Sequence, residues 1–320
     1  MAVHAFIFPG QGSQAVGMGR DLAAAFASAR EVFQEVDEVL KQKLSKIMFE
    51  GPGEDLILTE NTQPALMALS LAVLRVLEKE GGISLKQKAA VVAGHSLGEY
   101  SALAAAGAFS IADAARLLKL RGQTMQKATP AGIGAMAALL GAEMEQAQAI
   151  CTEAATDPET GQKEIVECAN DNGGGQVVIS GHRTAIERAI EIAKAQGVKR
   201  AMLLPVSAPF HCALMAPAAD AMAEAFETTP PKSPIVPVVA NVSAAKETDP
   251  TRIRDLLIAQ VTATVRWREC VQAMTALGVD SFIEIGAGKV LTGLAKRVAP
   301  DATAAAVGNP ADIEAILKVL

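Results

Sequence analysis

The stretch from residue 89 to 105 joins an apolar run to a helix-forming run through a very short turn. "AAVVAG" (89–94) is typical of a buried strand, and the chain turns helical directly after "GHS". A buried strand that leads at once into a helix is the repeating unit of parallel α/β sheets. "VHAFIF" (3–8), stopped by Pro9 and Gly10, predicts a second strand of this kind. We therefore expect an α/β fold.

The same alternation is predicted on both sides of this stretch. Pro64 suits the first turn of a helix, a glycine pair suits its end, and Ser110 suits the position before the next helix. The helices predicted from apolar spacing are 21–44, 62–82, 111–128 and 251–260, with a closing helix near the end, and the later strands are 235–241 and 280–286.

The middle of the chain follows a different order. Strands are predicted at 134–141, 164–170, 176–181 and 199–207, and helices at 143–155 and 183–197. The order βαββαβ is typical of a ferredoxin-like unit. We therefore predict a large α/β domain over residues 1–129 and 205–320, with a small subdomain over 130–204 inserted in it.

Charge and composition exclude several classes of protein. The 320 residues carry a net charge of −6 and no basic tract, so nucleic acid is not an expected partner. No apolar run reaches the roughly 18 residues that span a membrane, and the first residues lack the cationic lead of a signal peptide. The cysteines are far apart and form no C-x-x-C pair, which favours reduced thiols. We expect a cytoplasmic protein.

Ser96 stands between Gly94 and Gly98 in the frame G-x-S-x-G. The frame alone is weak evidence, but a strand before it and a helix after it are the context of a nucleophile on a strained turn. The helix N-terminus also offers free N–H groups to a developing oxyanion. The alternative is a glycine-rich bend that happens to contain a serine.

A serine nucleophile needs a base, and the chain has four histidines. His95 is adjacent to the serine, and neighbouring side chains leave a sharp turn in different directions. His4 lies at the start of its strand, which is the wrong end of the sheet for a site. His182 suits a capping or surface position. His211, in "LLPVSAPFHC", follows a strand and is the candidate base, with a structural histidine as the alternative. No aspartate stands out as a third triad member, since Asp171 belongs to the small subdomain.

"FPGQGSQ" (8–14) is a second glycine-rich loop. Its glycines and Ala15 faintly match a dinucleotide-binding fingerprint, but Pro9 is unusual there and no acidic residue ends a second strand at the required spacing. The better interpretation is that Gly10 and Gly12 bring the backbone close to the reacting centre, where Gln11 offers an amide.

Eight motifs together resemble the malonyl-CoA:acyl-carrier-protein transacylase family of bacterial fatty acid synthesis. The resemblance covers essentially the whole chain and implies a hydrolase-like α/β domain with an inserted ferredoxin-like subdomain. The motifs are, in chain order, "FIFPGQGSQ", "TQPAL", "GHSLGEYSAL", "LLKLRGQTMQ", "GQVVISG", "LPVSAPFHCALM", "QVTATVRW" and "GAGKVLTGLAKR".

The resemblance implies a role for each matching position. Ser96 would be the acyl-carrying nucleophile and His211 its base. The backbone carbonyl of Gln260 would orient His211, so that no acidic triad member is needed. The backbone N–H groups of Gln11 and Leu97 would hold the oxyanion.

The resemblance also implies the substrate. Arg121, in "LRGQ", would pair with the free carboxylate of a malonyl group, whereas without the resemblance it reads as an ordinary surface arginine. Gln63 and Asn170 would line the site. Thr264 and Ala287 stand where the family often has proline, and both positions bear on loop stiffness rather than on the chemistry.

The implied reaction is ping-pong transfer of a malonyl group from malonyl-CoA to the phosphopantetheine thiol of acyl carrier protein, through a malonyl-serine. It requires no metal and no cofactor. A monomer is expected because no exposed apolar patch can be read from the pattern. A serine hydrolase and a non-catalytic carrier-protein binding module remain alternatives, although the frame around Arg121 and the lack of an acid partner favour transfer.

Overall fold

The computed structural model describes residues 2–130, 132–206 and 208–320. The strands are β1 (His4–Phe8), β2 (Ala89–Gly94), β3 (Gly134–Leu140), β4 (Val166–Asp171), β5 (Gln176–His182), β6 (Arg200–Leu203), β7 (Val238–Val239), β8 (Lys246–Glu247), β9 (Ser281–Ile285) and β10 (Thr303–Val307). The helices are α1 (Arg20–Ala25), α2 (Ala27–Leu40), α3 (Leu44–Glu50), α4 (Gly53–Leu56), α5 (Thr59–Lys79), α6 (Leu85–Lys88), α7 (Leu97–Ala105), α8 (Ile111–Lys127), α9 (Met144–Ala154), α10 (Arg183–Ala195), α11 (Ala216–Thr228), α12 (Pro250–Gln260), α13 (Trp267–Ala276), α14 (Val290–Val298) and α15 (Pro310–Ile316). A 3₁₀ turn spans Ala213–Met215.

The large sheet has the order β10-β9-β1-β2-β7-β8. Its strands are parallel except β8, which is antiparallel to β7. Phe6 and Phe8 pack in the core on one face, whereas Ala5 and Ile7 pack in the core on the other. Burial on both faces explains why "VHAFIF" is a continuous apolar run rather than an alternating one.

The carboxyl ends of β1 and β2 lie side by side, because Phe8 pairs with Gly94 in the parallel register. The loop after β1 and the turn after β2 therefore leave the sheet at the same edge. This register brings Gln11 and Ser96 to the edge where α/β sheets place their ligand sites.

The small sheet has the order β4-β5-β3-β6 and is antiparallel throughout. α9 and α10 pack against it around their own apolar core. The strand and helix order βαββαβ confirms the predicted ferredoxin-like subdomain, and together with the parallel sheet it confirms the predicted fold class. The exact division at 130 and 204 stays a prediction.

Several predicted helix boundaries were wrong. The helix predicted at 21–44 is interrupted at Phe26, whose φ of −126° and ψ of 124° are extended, and it stops at Lys41 in the left-handed region. α5 begins at Thr59, so Pro64 lies inside the helix rather than in its first turn. Proline removes one backbone hydrogen bond there, which the tight packing of this buried helix offsets.

Two predicted strands are shorter than expected, and the C-terminal elements were missed. The strand predicted at 199–207 spans only Arg200–Leu203, and Ser207 lies outside the described residues. Of 235–241 only Val238–Val239 is strand, since Pro237 has no N–H for the ladder. The "closing helix" is followed by β10 and α15, and α15 begins with a capping box of Asn309 and Asp312.

Two further observations concern membrane-spanning helices and the cysteines. Within the part of the chain that the structure describes, no helix combines the length and the apolar character needed to cross a membrane. The four cysteines are free and buried.

Candidate active site

Ser96 occupies a sharp turn between β2 and α7. Its φ of 54° and ψ of −112° lie in a region that a residue with a side chain rarely adopts. A Cβ on Gly94 would overlap the backbone of Gly98, and a Cβ on Gly98 would overlap the carbonyl oxygen of Phe8. The two glycines thus allow strand and helix to approach closely around a strained serine, which is the geometry of a nucleophile elbow rather than of a loose bend.

His211 lies directly against this serine. Its Nε2 is 2.7 Å from Ser96 Oγ, and its Nδ1 is 2.7 Å from the backbone carbonyl oxygen of Gln260. Because a carbonyl can only accept, Nδ1 carries the hydrogen and Nε2 is left to accept from the serine hydroxyl. Burial, together with the positive charge of Arg121, lowers the pKa of His211 to about 3. The imidazole is therefore neutral at pH 7, as a general base must be.

Arg121 is not a surface arginine: 1% of it is exposed. Nη1 donates to Gln63 Oε1 over 2.7 Å, and Nη2 donates to Gln260 Oε1 over 3.0 Å and to Ser96 Oγ over 3.2 Å. The guanidinium also lies over the ring of Tyr100, 5.6 Å from its centroid. Its Nε is buried without a hydrogen-bond partner among the described residues. A cation held by neutral oxygens beside a nucleophile is suited to binding an anion.

The two predicted oxyanion donors, Gln11 and Leu97, follow the neighbouring strands β1 and β2. Leu97 is the first residue of α7, so its N–H has no acceptor within the helix. Gln11 lies in the turn after β1, and its side-chain oxygen accepts from Thr59 Oγ1 over 2.9 Å. This hydrogen bond joins the turn after β1 to the start of α5. That these two N–H groups bind an oxyanion stays a prediction.

The two residues predicted to line the site are placed differently. Gln63, on α5, holds Arg121 directly. Asn170, on β4, is buried and pairs through its backbone with Val265. Its side chain makes no hydrogen bond to the serine, the histidine or the arginine in the described part of the chain, so its role stays a prediction.

Thr264 donates to the carbonyl of Cys168 over 2.6 Å. This bond joins the loop after α12 to β4, and a proline at position 264 could not make it.

His95, His182 and Asp171 are engaged elsewhere, and His4 lies at the amino end of β1, the sheet edge opposite Ser96. His95 Nε2 lies 2.9 Å from Asn172 Oδ1, and its ring packs on Trp267. His182 occupies the position before α10, but its Nδ1 accepts from the N–H of Ile165 instead of capping the helix. Asp171 binds Arg268 at 2.8 Å. Asp171 is therefore not a third triad member.

Sequence reasoning missed Asn241, which holds the elbow from behind. Its Oδ1 accepts from the N–H of Ser96 over 2.8 Å, and its Nδ2 donates to the carbonyl of Gly94 over 2.7 Å. One amide thus binds the residues on both sides of the turn. The available indication was its place at the end of the strand predicted at 235–241.

Glu99, three residues after the nucleophile, was also missed. It is 1% exposed, and its Oε2 accepts from the N–H of Asn241 over 3.0 Å and from Gln260 Nε2 over 2.7 Å. Burial raises the pKa of Glu99 to about 7.

Among the described residues, no group of three or more His, Cys, Asp or Glu side chains could hold a metal ion.

Comparison with known proteins gives a consistent result. The chain matches the acyl transferase domain family over residues 5–309. It is 46% identical over 319 residues to the malonyl CoA-acyl carrier protein transacylase of Escherichia coli K12, covering 100% of each chain. It is 55% identical to the crystal structure of an acyl-carrier-protein S-malonyltransferase from Bartonella henselae, with a TM-score of 0.94 and 99% of each chain covered.

A second solved structure is a malonyl-transacylase in complex with a type II polyketide synthase acyl-carrier protein. It is 44% identical, with a TM-score of 0.94 and 100% of each chain covered. The resemblance predicted from the motifs is therefore confirmed. The chain belongs to the acyl transferase domain family, and it is an acyltransferase.

Proposed function

We propose that this acyltransferase moves a malonyl group from malonyl-CoA to the phosphopantetheine thiol of an acyl carrier protein, as a step of fatty acid synthesis. The observation that carries the proposal is the buried guanidinium of Arg121, whose Nη2 lies 3.2 Å from Ser96 Oγ. In a malonyl thioester one methylene group separates the free carboxylate from the reacting carbonyl. A carboxylate bound by Arg121 therefore leaves that carbonyl beside the serine hydroxyl.

The arginine also explains why malonyl should be preferred to acetyl. A planar guanidinium binds a carboxylate through two charge-assisted hydrogen bonds. The amide oxygens of Gln63 and Gln260 already hold it in place, so little ordering is needed on binding. A malonyl carboxylate gives this buried cation a partner, whereas an acetyl group leaves it without one.

The first half-reaction loads the serine. The Ser96 hydroxyl transfers its proton to Nε2 of His211 while its oxygen attacks the thioester carbonyl. The oxyanion that forms is bound by the N–H groups of Leu97 and Gln11. When the tetrahedral intermediate collapses, the carbon–sulfur bond breaks, His211 returns the proton to the departing CoA sulfur, and a malonyl-serine ester remains.

The second half-reaction reverses these steps with a different thiol. His211 accepts the proton of the phosphopantetheine thiol, whose sulfur attacks the malonyl-serine ester. The serine oxygen leaves and regains the proton. A solved relative in complex with an acyl-carrier protein supports this kind of partner. That partner is a polyketide synthase carrier, so we infer the role in fatty acid synthesis from the sequence resemblance alone.

Mass spectrometry of the protein after brief exposure to malonyl-CoA tests the proposal. We expect one malonyl group on the peptide that contains Ser96, one equivalent of released CoA, and then a stall until carrier protein is added. Ser96→Ala should lose the adduct and at least about 10³-fold in transfer rate. Steady CoA release without carrier protein would instead identify a hydrolase, and unaltered carrier binding without any adduct would identify a binding module.

The proposal retains the cytoplasmic location and the monomer predicted from the sequence. It also requires no metal or cofactor. Full activity after treatment with a chelator and gel filtration, and a single monomeric species in sedimentation velocity, are the expected results. Loss of activity that added metal restores would contradict the proposed chemistry.

A further inference from the structure

Glu99 is a buried carboxylate that the proposed reaction does not use. It lies in the first turn of α7, directly behind the nucleophile. Both of its hydrogen bonds reach the same oxygen, Oε2, from the N–H of Asn241 and from Nε2 of Gln260. Burial raises the pKa of this carboxyl group, and the positive charge of Arg121 opposes part of that rise. A carboxyl group is rarely buried in a protein core unless hydrogen bonds or a nearby opposite charge compensate for the lost hydration.

Gln260 connects this carboxylate to the predicted carboxylate-binding residue Arg121 and to the predicted base His211. Its Nε2 donates to Glu99 Oε2 over 2.7 Å and to the carbonyl of Ser96 over 3.1 Å. Its Oε1 accepts from Nη2 of Arg121 over 3.0 Å. Its backbone carbonyl accepts from Nδ1 of His211 over 2.7 Å. One residue thus contacts the carboxylate-binding group and the base.

The orientation of the Gln260 amide depends on these partners. An amide can turn by 180°, which exchanges its donor and its acceptor. In the observed orientation the NH₂ group faces the Glu99 carboxylate, and the oxygen faces the guanidinium of Arg121. The reversed orientation would place donor against donor and acceptor against acceptor. The carboxylate therefore makes one orientation strongly favoured.

We infer that Glu99 is a positioning residue that fixes the side chain and backbone of Gln260, and through them both the Arg121 guanidinium and the His211 imidazole. The inference rests on the proposed function, because it assigns this linkage to malonyl recognition and to proton transfer. Without the Glu99 carboxyl group, the NH₂ group of Gln260 loses its shortest hydrogen bond and keeps only the longer ones to the carbonyl oxygen of Ser96 and to Asn241 Oδ1, so its orientation is less firmly fixed. Acyl recognition and the base then become misaligned together.

The test compares Glu99→Met, which fills the space but accepts no hydrogen bond, with Glu99→Gln, whose amide oxygen can accept both bonds. The readout is the single-turnover rate of Ser96 acylation by malonyl-CoA, per folded molecule, with the melting temperature measured alongside. We expect about a 10²-fold loss for Glu99→Met, the size associated with small misplacements at an active site. Glu99→Gln should recover to within about tenfold of the native rate, since a neutral acceptor keeps the geometry with weaker bonds.

Glu284 offers a matched control. It is also a fully buried carboxylate on β9, but its described hydrogen bonds come from the N–H groups of Leu291 and Thr292 at the start of α14 and not from Gln260 or Asn241. Glu284→Met should lower the melting temperature but leave the acylation rate per folded molecule unchanged. If Glu99→Met behaves in the same way, Glu99 is a structural residue and the inference fails.

A double-mutant cycle with Gln260→Met tests whether Glu99 acts through Gln260. Two residues in one linkage give non-additive effects, so the double variant should be no more than about threefold slower than Gln260→Met alone. Additive losses, or Glu99→Gln as slow as Glu99→Met, would overturn the inference.

If Glu99→Met does not fold, the cycle is run with Glu99→Gln, whose loss must disappear in the Gln260→Met background. Native protein that forms no malonyl adduct would count against the proposed function instead.

Discussion

Nδ1 of His211 donates to the backbone carbonyl of Gln260 over 2.7 Å, at the place where a Ser-His-Asp triad has a carboxylate. A carbonyl dipole fixes the tautomer and the ring plane but supplies no full negative charge. Burial, and after it the positive charge of Arg121, lowers the pKa of His211 to about 3. A carboxylate bound to the arginine would cancel part of this effect, so a malonyl substrate should make its own base stronger.

Arg121→Ala should therefore exchange one acyl specificity for another. We expect malonyl loading to fall by about 10²–10³-fold, since a charge-assisted pair at a buried site is lost. Acetyl loading should rise, because the cation that it leaves unpaired is gone and His211 becomes more basic. Acylation rates with malonyl-CoA and acetyl-CoA measure both effects.

Arg116→Ala is the control on the same helix. The Arg116 side chain is 60% exposed and lies near Asp113 on the surface. Both acylation rates should stay at the native level in this variant. An unchanged malonyl rate in Arg121→Ala would show that the arginine does not bind the carboxylate.

Stability should depend on pH through His211. Its pKa is about 3 in the folded chain, against about 6.5 when unfolded. The unfolded state therefore binds a proton that the folded state does not, once the pH falls below about 6.5. The contribution is fully present above this pH and is lost at about 1.4 kcal/mol per pH unit as the pH falls towards 3.

Urea unfolding of native protein and His211→Gln between pH 7 and pH 5 measures this dependence. As the pH falls, the free energy of unfolding of the native protein should decrease more steeply than that of the variant. The difference in slope should approach about 1.4 kcal/mol per pH unit, the value for one bound proton. Equal slopes would mean that His211 titrates in the folded chain as it does in the unfolded chain, so that burial and Arg121 do not lower its pKa.

Gly98→Ala should destabilise the fold severely. A Cβ at this position would overlap the carbonyl oxygen of Phe8, and the other nearest atoms are backbone atoms of Phe8 and Pro9, so no side chain could move away. We expect a loss of more than about 3 kcal/mol of unfolding free energy, comparable with strong overpacking. Gly293→Ala is the control: it lies inside α14 with no atom near its Cβ position. Thermal melts should show that substitution neutral or stabilising, by up to about 1 kcal/mol.

The sequence predicted the features that follow from local pattern. The buried strands β1 and β2 and the G-x-S-x-G turn are visible because periodicity and glycine spacing act over a few residues. Glu99 and Asn241 were not predicted because their partners lie far away in the chain and meet only after β7 pairs with β2. The break at Phe26 was also hidden, since the apolar spacing on its two sides is nearly continuous.

Asn241→Leu should weaken the elbow without touching the substrate. The substitution keeps a similar volume but removes the acceptor for the N–H of Ser96 and the donor for the carbonyl of Gly94, both of which are buried. Two unsatisfied backbone groups should cost about 2–4 kcal/mol of unfolding free energy. Because Ser96 is held in a strained conformation, its relaxation should also slow acylation by about tenfold or more.

Asn309→Leu separates these two effects. Asn309 caps α15 through Asp312, away from the elbow, so its loss should cost about 1 kcal/mol of stability with no change in the acylation rate. Urea melts and single-turnover acylation of both variants give the comparison. If Asn241→Leu loses stability but acylates at the native rate per folded molecule, the strained conformation of Ser96 does not depend on this amide, and the glycines alone maintain the elbow.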